Sequence, residues 1–363
     1  MPDGIEKFIR PDLAGFIGYS AAASPETLED KTGVPVERII KLDANENPYG
    51  CSPRVQAALG RFQRYHVYPD NAQVRLRQVL ADYAGVSPAQ VVAESGSNRL
   101  IDLALRLFTS PGDEVINCVP TFGVYRFSSR LAGVTVVDVP RRADFSVDVA
   151  GVRAAVTGRT RLIFVASPNN PTGTPLPRED VLALLETGIP LLVDEAYYEF
   201  SGETTVPLVA GHSNLMVLRT LSKWAGLAGL RLGYGVFPEL VARYLLTIKM
   251  PYNVSAAALV AVEESLKDID YLKGRVQAII AERERLSAGL SGLGWLEPIP
   301  SAANFILCRV LRGTARDLHA RLRQRGILVR YFEEPRVEDC IRISVGRPED
   351  TDALLAALRQ IGG

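Results

Sequence analysis

The sequence predicts an α/β fold built on a mainly parallel sheet with helices covering both faces. Three observations carry that expectation. Apolar strand-like runs recur at residues 115–119, 134–139, 162–166, 191–193, 215–218 and 232–236. Several are continuous rather than alternating, as strands buried on both faces must be. Helical patterns separate them, which supplies the crossovers that parallel strands require. With 363 residues and 47% hydrophobic content, the chain can bury a large core and is expected to divide into two domains.

Composition narrows the function. The 41 basic and 41 acidic residues cancel, so nothing favours a polyanion, and nucleic acid is not an expected partner. Cys51, Cys118, Cys308 and Cys340 are widely spaced, without a metal or redox pattern. Cys118 and Cys308 sit in apolar runs and are expected to be inert core residues. His66, His212 and His319 are not paired at ligand spacing, so no metal is expected. The first residues, Met-Pro-Asp-Gly-Ile-Glu-Lys, form no apolar signal region, and no run reaches transmembrane length. A soluble, cytoplasmic protein is expected.

Residues 1–40 are mixed, with Tyr19 and a helix start at Ser24-Pro25-Glu26. Lys41 to Gly50, with the amides Asn45 and Asn47 and a proline, reads as an extended loop. Residues 53–84 look helical but are interrupted at Tyr65-His66-Val67-Tyr68-Pro69-Asp70, a loop projecting outward. Val91 to Glu94 is a strand, and Gly96, Ser97 and Asn98 then turn into a helix whose free backbone N–H groups suit phosphate. Phe122 follows the next strand closely, where an aromatic ring can lie flat on a planar group. A helical stretch is expected after residues 249–255, through about 291, followed by short strands and helices. In the last of these strands Arg342 alternates with Ile341 and Ile343 and faces away from them.

The chemistry concentrates at residues 219–235. A short buried strand delivers Thr220, Ser222 and Lys223 to its end, and Arg231 stands eight residues after the lysine among glycines and alanines. Two hydroxyls, an amine and a guanidinium suit a phosphorylated carbonyl compound. The hydroxyls and arginine would hold the phosphate, and the lysine would form an imine. Two further strands end in polar groups: one in Asn169-Asn170, the other in Asp194 with Tyr197 close behind. A carboxylate at a dry strand end can bind a protonated ring nitrogen, while Asn170 and Tyr197 can bind a phenolic oxygen on the same ring.

With these stretches in order, the chain resembles the fold-type I aminotransferases that use pyridoxal 5'-phosphate, over nearly its whole length. The wording of residues 41–50 and 249–255 narrows the resemblance to histidinol-phosphate aminotransferases and their close relatives. It implies a large domain, residues 46–255, with a seven-stranded sheet. A smaller α+β domain, 256–363, and an N-terminal arm, 1–45, packed on it would complete the chain. By the same resemblance Lys223 carries the cofactor, Asp194 holds the ring nitrogen, Tyr197 and Asn170 the phenolic oxygen, and Phe122 stacks on the ring. Thr220, Ser222, Arg231 and the Gly96–Asn98 turn hold the phosphate. Arg342 anchors the substrate anion with Arg330, Tyr19 and Asn47, and a homodimer supplies Tyr68 from the partner subunit. The implied reaction moves an amino group between histidinol phosphate and 2-oxoglutarate. Aromatic amino-acid aminotransferases and threonine-phosphate decarboxylases share most of these residues. A cofactor-binding transcription regulator would need a DNA-reading domain, which the 40 residues before Lys41 do not contain. Two departures stand out. Arg99 sits where an acidic residue is common, and Trp224 then Ala225 reverse the usual order of small residue and aromatic. The indole is expected to repack the wall behind Lys223.

Overall fold

Among the described residues of the computed structural model there are twelve strands: β1 Ile40–Leu42, β2 Val91–Glu94, β3 Glu114–Val119, β4 Thr135–Pro140, β5 Thr160–Ala166, β6 Leu191–Asp194, β7 Leu215–Thr220, β8 Gly233–Val236, β9 Leu296–Pro298, β10 Phe305–Val310, β11 Ile327–Tyr331 and β12 Cys340–Ser344. The structure describes residues 4–13, 15, 16, 18, 26, 27, 29 and 34–362. Tyr19 and the residues proposed to cap the first helix, Ser24 and Pro25, lie outside that set.

Seven strands form the large sheet in the order β2-β8-β7-β6-β5-β3-β4. Only β8 runs against its neighbours, antiparallel to both β7 and β2. The continuous apolar runs have the reason inferred for them, because alternate residues feed two separate cores. Ile163, Val165, Val193 and Val217 belong to one, and Leu162, Phe164, Leu192 and Leu218 to the other. Helices Ser97–Phe108, Val124–Leu131 and Glu239–Ile248 cover the second face. Helices Val74–Ala84, Arg178–Leu185 and Ala256–Lys267 cover the first.

The second sheet has the order β1-β11-β12-β10-β9, with β1 parallel to β11 and the remaining pairs antiparallel. Ile306, Ile341, Ile343 and Leu42 pack there with Leu318, Leu322, Leu354 and Leu358 from helices Ala315–Gln324 and Pro348–Gly362. The helical stretch read as continuing to residue 291 is two helices, Ala256–Lys267 and Ile269–Ser291. Asp268 lies between them at φ −115°, ψ 33°, outside the helical region. Its carboxylate accepts the Ser52 hydroxyl, which itself caps helix Pro53–Arg61. A short polar side chain with a partner off the helix readily leaves the helical path. Leu272, Val276 and Ile279 pack on the large core and Leu286 and Leu290 on the small one. The passage from one core to the other thus falls within a single helix.

Candidate active site

All the parallel strands of the large sheet deliver their C-terminal ends to one edge, and nearly every singled-out side chain gathers there. In open α/β sheets this edge is where ligands bind. The register fixes the levels. Thr220 pairs with Gly233, which pairs with Glu94, while Asp194 pairs with Ala166 and Leu218. Thr220 and Ser222 are buried, with their hydroxyls 3.0 Å apart. The turn at Gly96 stands across β8 from them, at φ +90°.

Two glycines make that turn a cradle. A Cβ on Gly96 would lie 2.5 Å from the Arg231 guanidinium, and one on Gly233 would lie 2.1 Å from the Ser97 backbone nitrogen. Helix Ser97–Phe108 starts here, so its free N–H groups meet the Arg231 guanidinium at this turn, and Thr220 lies beside Gly233 on the neighbouring strand. That donor set fits a phosphate monoester. Arg99 pairs with Asp102 on its own helix at 2.8 Å, away from this role.

Asp194 ends β6 and is 5% exposed. Its Oδ1 accepts the Ala196 N–H at 3.1 Å, and its Oδ2 accepts the Tyr125 hydroxyl at 2.7 Å. Burial pushes this carboxyl up to about 6, opposed by those two donors. A cationic ring nitrogen beside it would restore the ordinary preference for the ionised form. Tyr197 is also buried, and its hydroxyl accepts Asn45 Nδ2 at 2.9 Å.

Lys223 is half-buried, its Nζ donating to the carbonyl of Ala44 at 2.9 Å. Burial lowers its amine to about 8, and the Arg342 guanidinium contributes next. Arg342 itself is buried, donating to Asn170 Oδ1 at 2.6 Å and to the Asp43 carbonyl. Arg330 is its cross-strand partner, and both guanidinium groups lie over the Phe332 ring, at 5.9 and 5.8 Å. Two like charges held side by side concentrate positive potential on one face, where an anion is favoured.

Trp224, directly after Lys223, is a core residue. The indole is 1% exposed within the main core and stacks on Tyr83 at 5.3 Å. Its carbonyl accepts Asn47 Nδ2 at 2.8 Å, and Asn47 Oδ1 accepts the Tyr49 N–H. Both ends of Asn47 are therefore engaged within the protein. Phe122 stands half-buried beside Tyr125, and Asn98 half-buried in the first turn of its helix. Tyr68 is 77% exposed and stacks on Tyr252 at 4.5 Å.

Several contributors escape sequence reading. Asp43, Ala44 and Asn45 reach Arg342, Lys223 and Tyr197 in turn, so one loop touches three of the candidate residues. Its amide-rich wording was the available signal. Tyr125 had no signal, being one more aromatic in an amphipathic helix. Glu195, next to Asp194, forms a buried ion pair with Arg219 at 3.1 Å that ties β7 to the segment after β6.

A mainly parallel sheet of this order, with a lysine past β7 and a carboxylate ending β6, has the architecture of the fold-type I enzymes. A sequence profile for aminotransferase class I and II matches residues 37–358, and the chain belongs to that family. It is 53% identical to a histidinol-phosphate aminotransferase of Dehalococcoides mccartyi, across 99% of both chains. It is 51% identical to one of Roseiflexus castenholzii, across 99% of this chain and 100% of that one. Among solved structures, the histidinol-phosphate aminotransferase of Sinorhizobium meliloti in complex with pyridoxal-5'-phosphate superimposes with a TM-score of 0.89. That match has 29% identity and covers 97% of this chain and 96% of that one.

Proposed function

We propose that the protein is a pyridoxal-phosphate-dependent transaminase interconverting histidinol phosphate and 2-oxoglutarate with imidazole acetol phosphate and glutamate, a step of histidine biosynthesis. The observation that carries this is identity above 50% along the whole chain to enzymes of that name, joined to a half-buried lysine and a buried arginine sharing one loop. The cofactor, when bound, supplies an electron sink for the bond that breaks at the substrate carbon.

The chain's own residues do the rest. Thr220, Ser222, Arg231 and the Gly96–Asn98 turn would clasp the phosphate. Asp194 would keep a proton on the ring nitrogen, Phe122 would lie against the ring, and Tyr197 with Asn170 would hold the phenolic oxygen. Lys223 Nζ anchors the cofactor and then carries the proton to and from the substrate carbon. A lysine amine lowered to about 8 suits that exchange near neutral pH. Arg342, with Arg330 and Tyr19, binds the carboxylate of glutamate in one half-reaction and the substrate phosphate in the other.

We further propose a homodimer in the cytoplasm whose partner subunit supplies Tyr68. Tyr68, Tyr252 and Met250 are 77, 47 and 60% exposed, and Tyr65 and Val67 lie in the same loop as Tyr68. Such an apolar aromatic surface is unusual on a monomer and suits a self-complementary interface. Among the described residues no helix is long and apolar enough to cross a membrane.

One experiment separates this reaction from its neighbours. The holoenzyme is presented singly with histidinol phosphate, phenylalanine and threonine phosphate, while absorbance and carbon dioxide are followed. Fast conversion to the amino form of the cofactor with histidinol phosphate alone is the expected result. Faster conversion with phenylalanine, or release of carbon dioxide from threonine phosphate, would overturn the assignment.

A further inference from the structure

We propose that Tyr125 is a positioning residue for the ring nitrogen of the cofactor, acting by fixing the carboxylate of Asp194. The inference rests on the pyridoxal-phosphate reading above. Tyr125 lies in the first turn of helix Val124–Leu131, just past the end of β3, and is 1% exposed. Its hydroxyl donates to Asp194 Oδ2 at 2.7 Å across 69 residues of sequence.

Three contacts hold the phenol in place. Its ring stacks on Phe164 of β5 at 5.1 Å and 3° between planes. It meets Phe122 edge to face at 5.7 Å and 87°. Its hydroxyl ends on the carboxylate. A dry carboxylate with one backbone donor is free to turn about its last torsion. With Ala196 N–H on Oδ1 and the phenol on Oδ2, both oxygens are fixed and each keeps a lone pair for another donor.

The hydrogen bond also favours the ionised carboxylate. That keeps the proton on a facing ring nitrogen instead of on Asp194. The phenol remains the donor, because burial and the neighbouring carboxylate hold it well above the usual tyrosine range. The groups facing Asp194 are Tyr125, Glu195 and Lys223. Of these, Tyr125 is hydrogen-bonded to it.

Tyr125→Phe tests the inference, since it keeps the ring contacts and deletes only the hydroxyl. Dissociation constants are measured by fluorescence on cofactor-free protein for two probes. One is pyridoxal phosphate, and the other is its 1-deaza analogue, with carbon in place of the ring nitrogen. Wild-type protein should prefer pyridoxal phosphate. Tyr125→Phe should weaken that ligand by about tenfold or more, the size of a lost hydrogen bond to a charged group, and move the deaza analogue less than about twofold. In an Asp194→Asn background the same substitution should add nothing. Equal weakening of both probes, or of neither, would overturn the role of Tyr125 while leaving the cofactor reading intact. Wild-type protein that binds both probes equally would overturn the ring-nitrogen contact itself, and the inference with it.

Discussion

Lys223 and Arg342 are tied to successive carbonyls of one loop, Ala44 and Asp43, and each charge raises the cost of the other. The amine lies at about 8 instead of the ordinary 10.5 because burial disfavours its charged form and Arg342 adds repulsion. Only the neutral amine attacks a carbonyl. Capture of pyridoxal phosphate by the cofactor-free protein should therefore speed up as pH rises through about 8 and level off above it. Stopped-flow absorbance checks this, and a midpoint in the ordinary lysine range would refute it. In Arg342→Gln the midpoint should move upward, since the second cause of the depression is gone. Arg342 makes a separate prediction about substrates. Lysine cannot reproduce a two-pronged contact, so Arg342→Lys should raise KM for both glutamate and histidinol phosphate, by roughly tenfold to a hundredfold. A rise for only one of them would mean that the two anions use different groups.

At the scale of elements, the phosphate cradle depends on how closely β8 approaches the start of helix Ser97–Phe108. Gly233 and Gly96 both permit the approach, but what blocks a methyl group differs. At Gly233 the obstacle is backbone, the Ser97 nitrogen at 2.1 Å and the Gly96 carbon at 2.7 Å, which cannot step aside. At Gly96 it is the end of the Arg231 side chain, which can. Gly233→Ala should accordingly cost about 1–3 kcal/mol of stability together with cofactor affinity. Gly96→Ala adds strain of about 1–3 kcal/mol, because φ +90° with ψ 151° is a conformation essentially reserved for glycine, and it should also weaken cofactor binding as Arg231 swings out. Thermal melts of the cofactor-free variants, set beside their pyridoxal-phosphate titrations, check the contrast. Wild-type pyridoxal-phosphate affinity in Gly96→Ala, or a wild-type melting temperature in Gly233→Ala, would refute it.

For the whole molecule, the exposed Tyr68 loop makes a prediction about assembly. If Tyr68 serves the partner's site, Lys223→Ala chains mixed with Tyr68→Phe chains should regain activity. Each hybrid dimer would carry one site with every residue intact. Random exchange in equal amounts makes half the dimers hybrid, so recovery should approach about a quarter of wild-type turnover. Confirmed subunit exchange without recovery would place Tyr68 outside the partner's site. If Tyr68 completes the partner's phosphate site, pyridoxal phosphate should also tighten the dimer by mass action, because the complete site would exist only in the dimer.

The sequence alone determined the sheet and the chemistry along its edge. Continuous apolar runs such as Leu215–Leu218 must be buried on both faces, and polar residues directly after them must emerge at one end. That local logic is enough to bring Thr220, Ser222, Lys223 and Asp194 together, because parallel strands share a direction. Tertiary structure decided what depends on long-range meetings. Tyr125 reaches Asp194 across 69 residues, Ala44 reaches Lys223 across 179, and Asp43 reaches Arg342 across 299. Nothing in a residue's own neighbourhood encodes such a partner. The passage between the two cores was likewise hidden, since helix Ile269–Ser291 keeps one apolar periodicity while the core beneath it changes. Asp268 was hidden too, because a hydroxyl 216 residues away draws its carboxylate off the helix. Periodicity reports which face of an element is buried, and only the folded chain decides what that face meets.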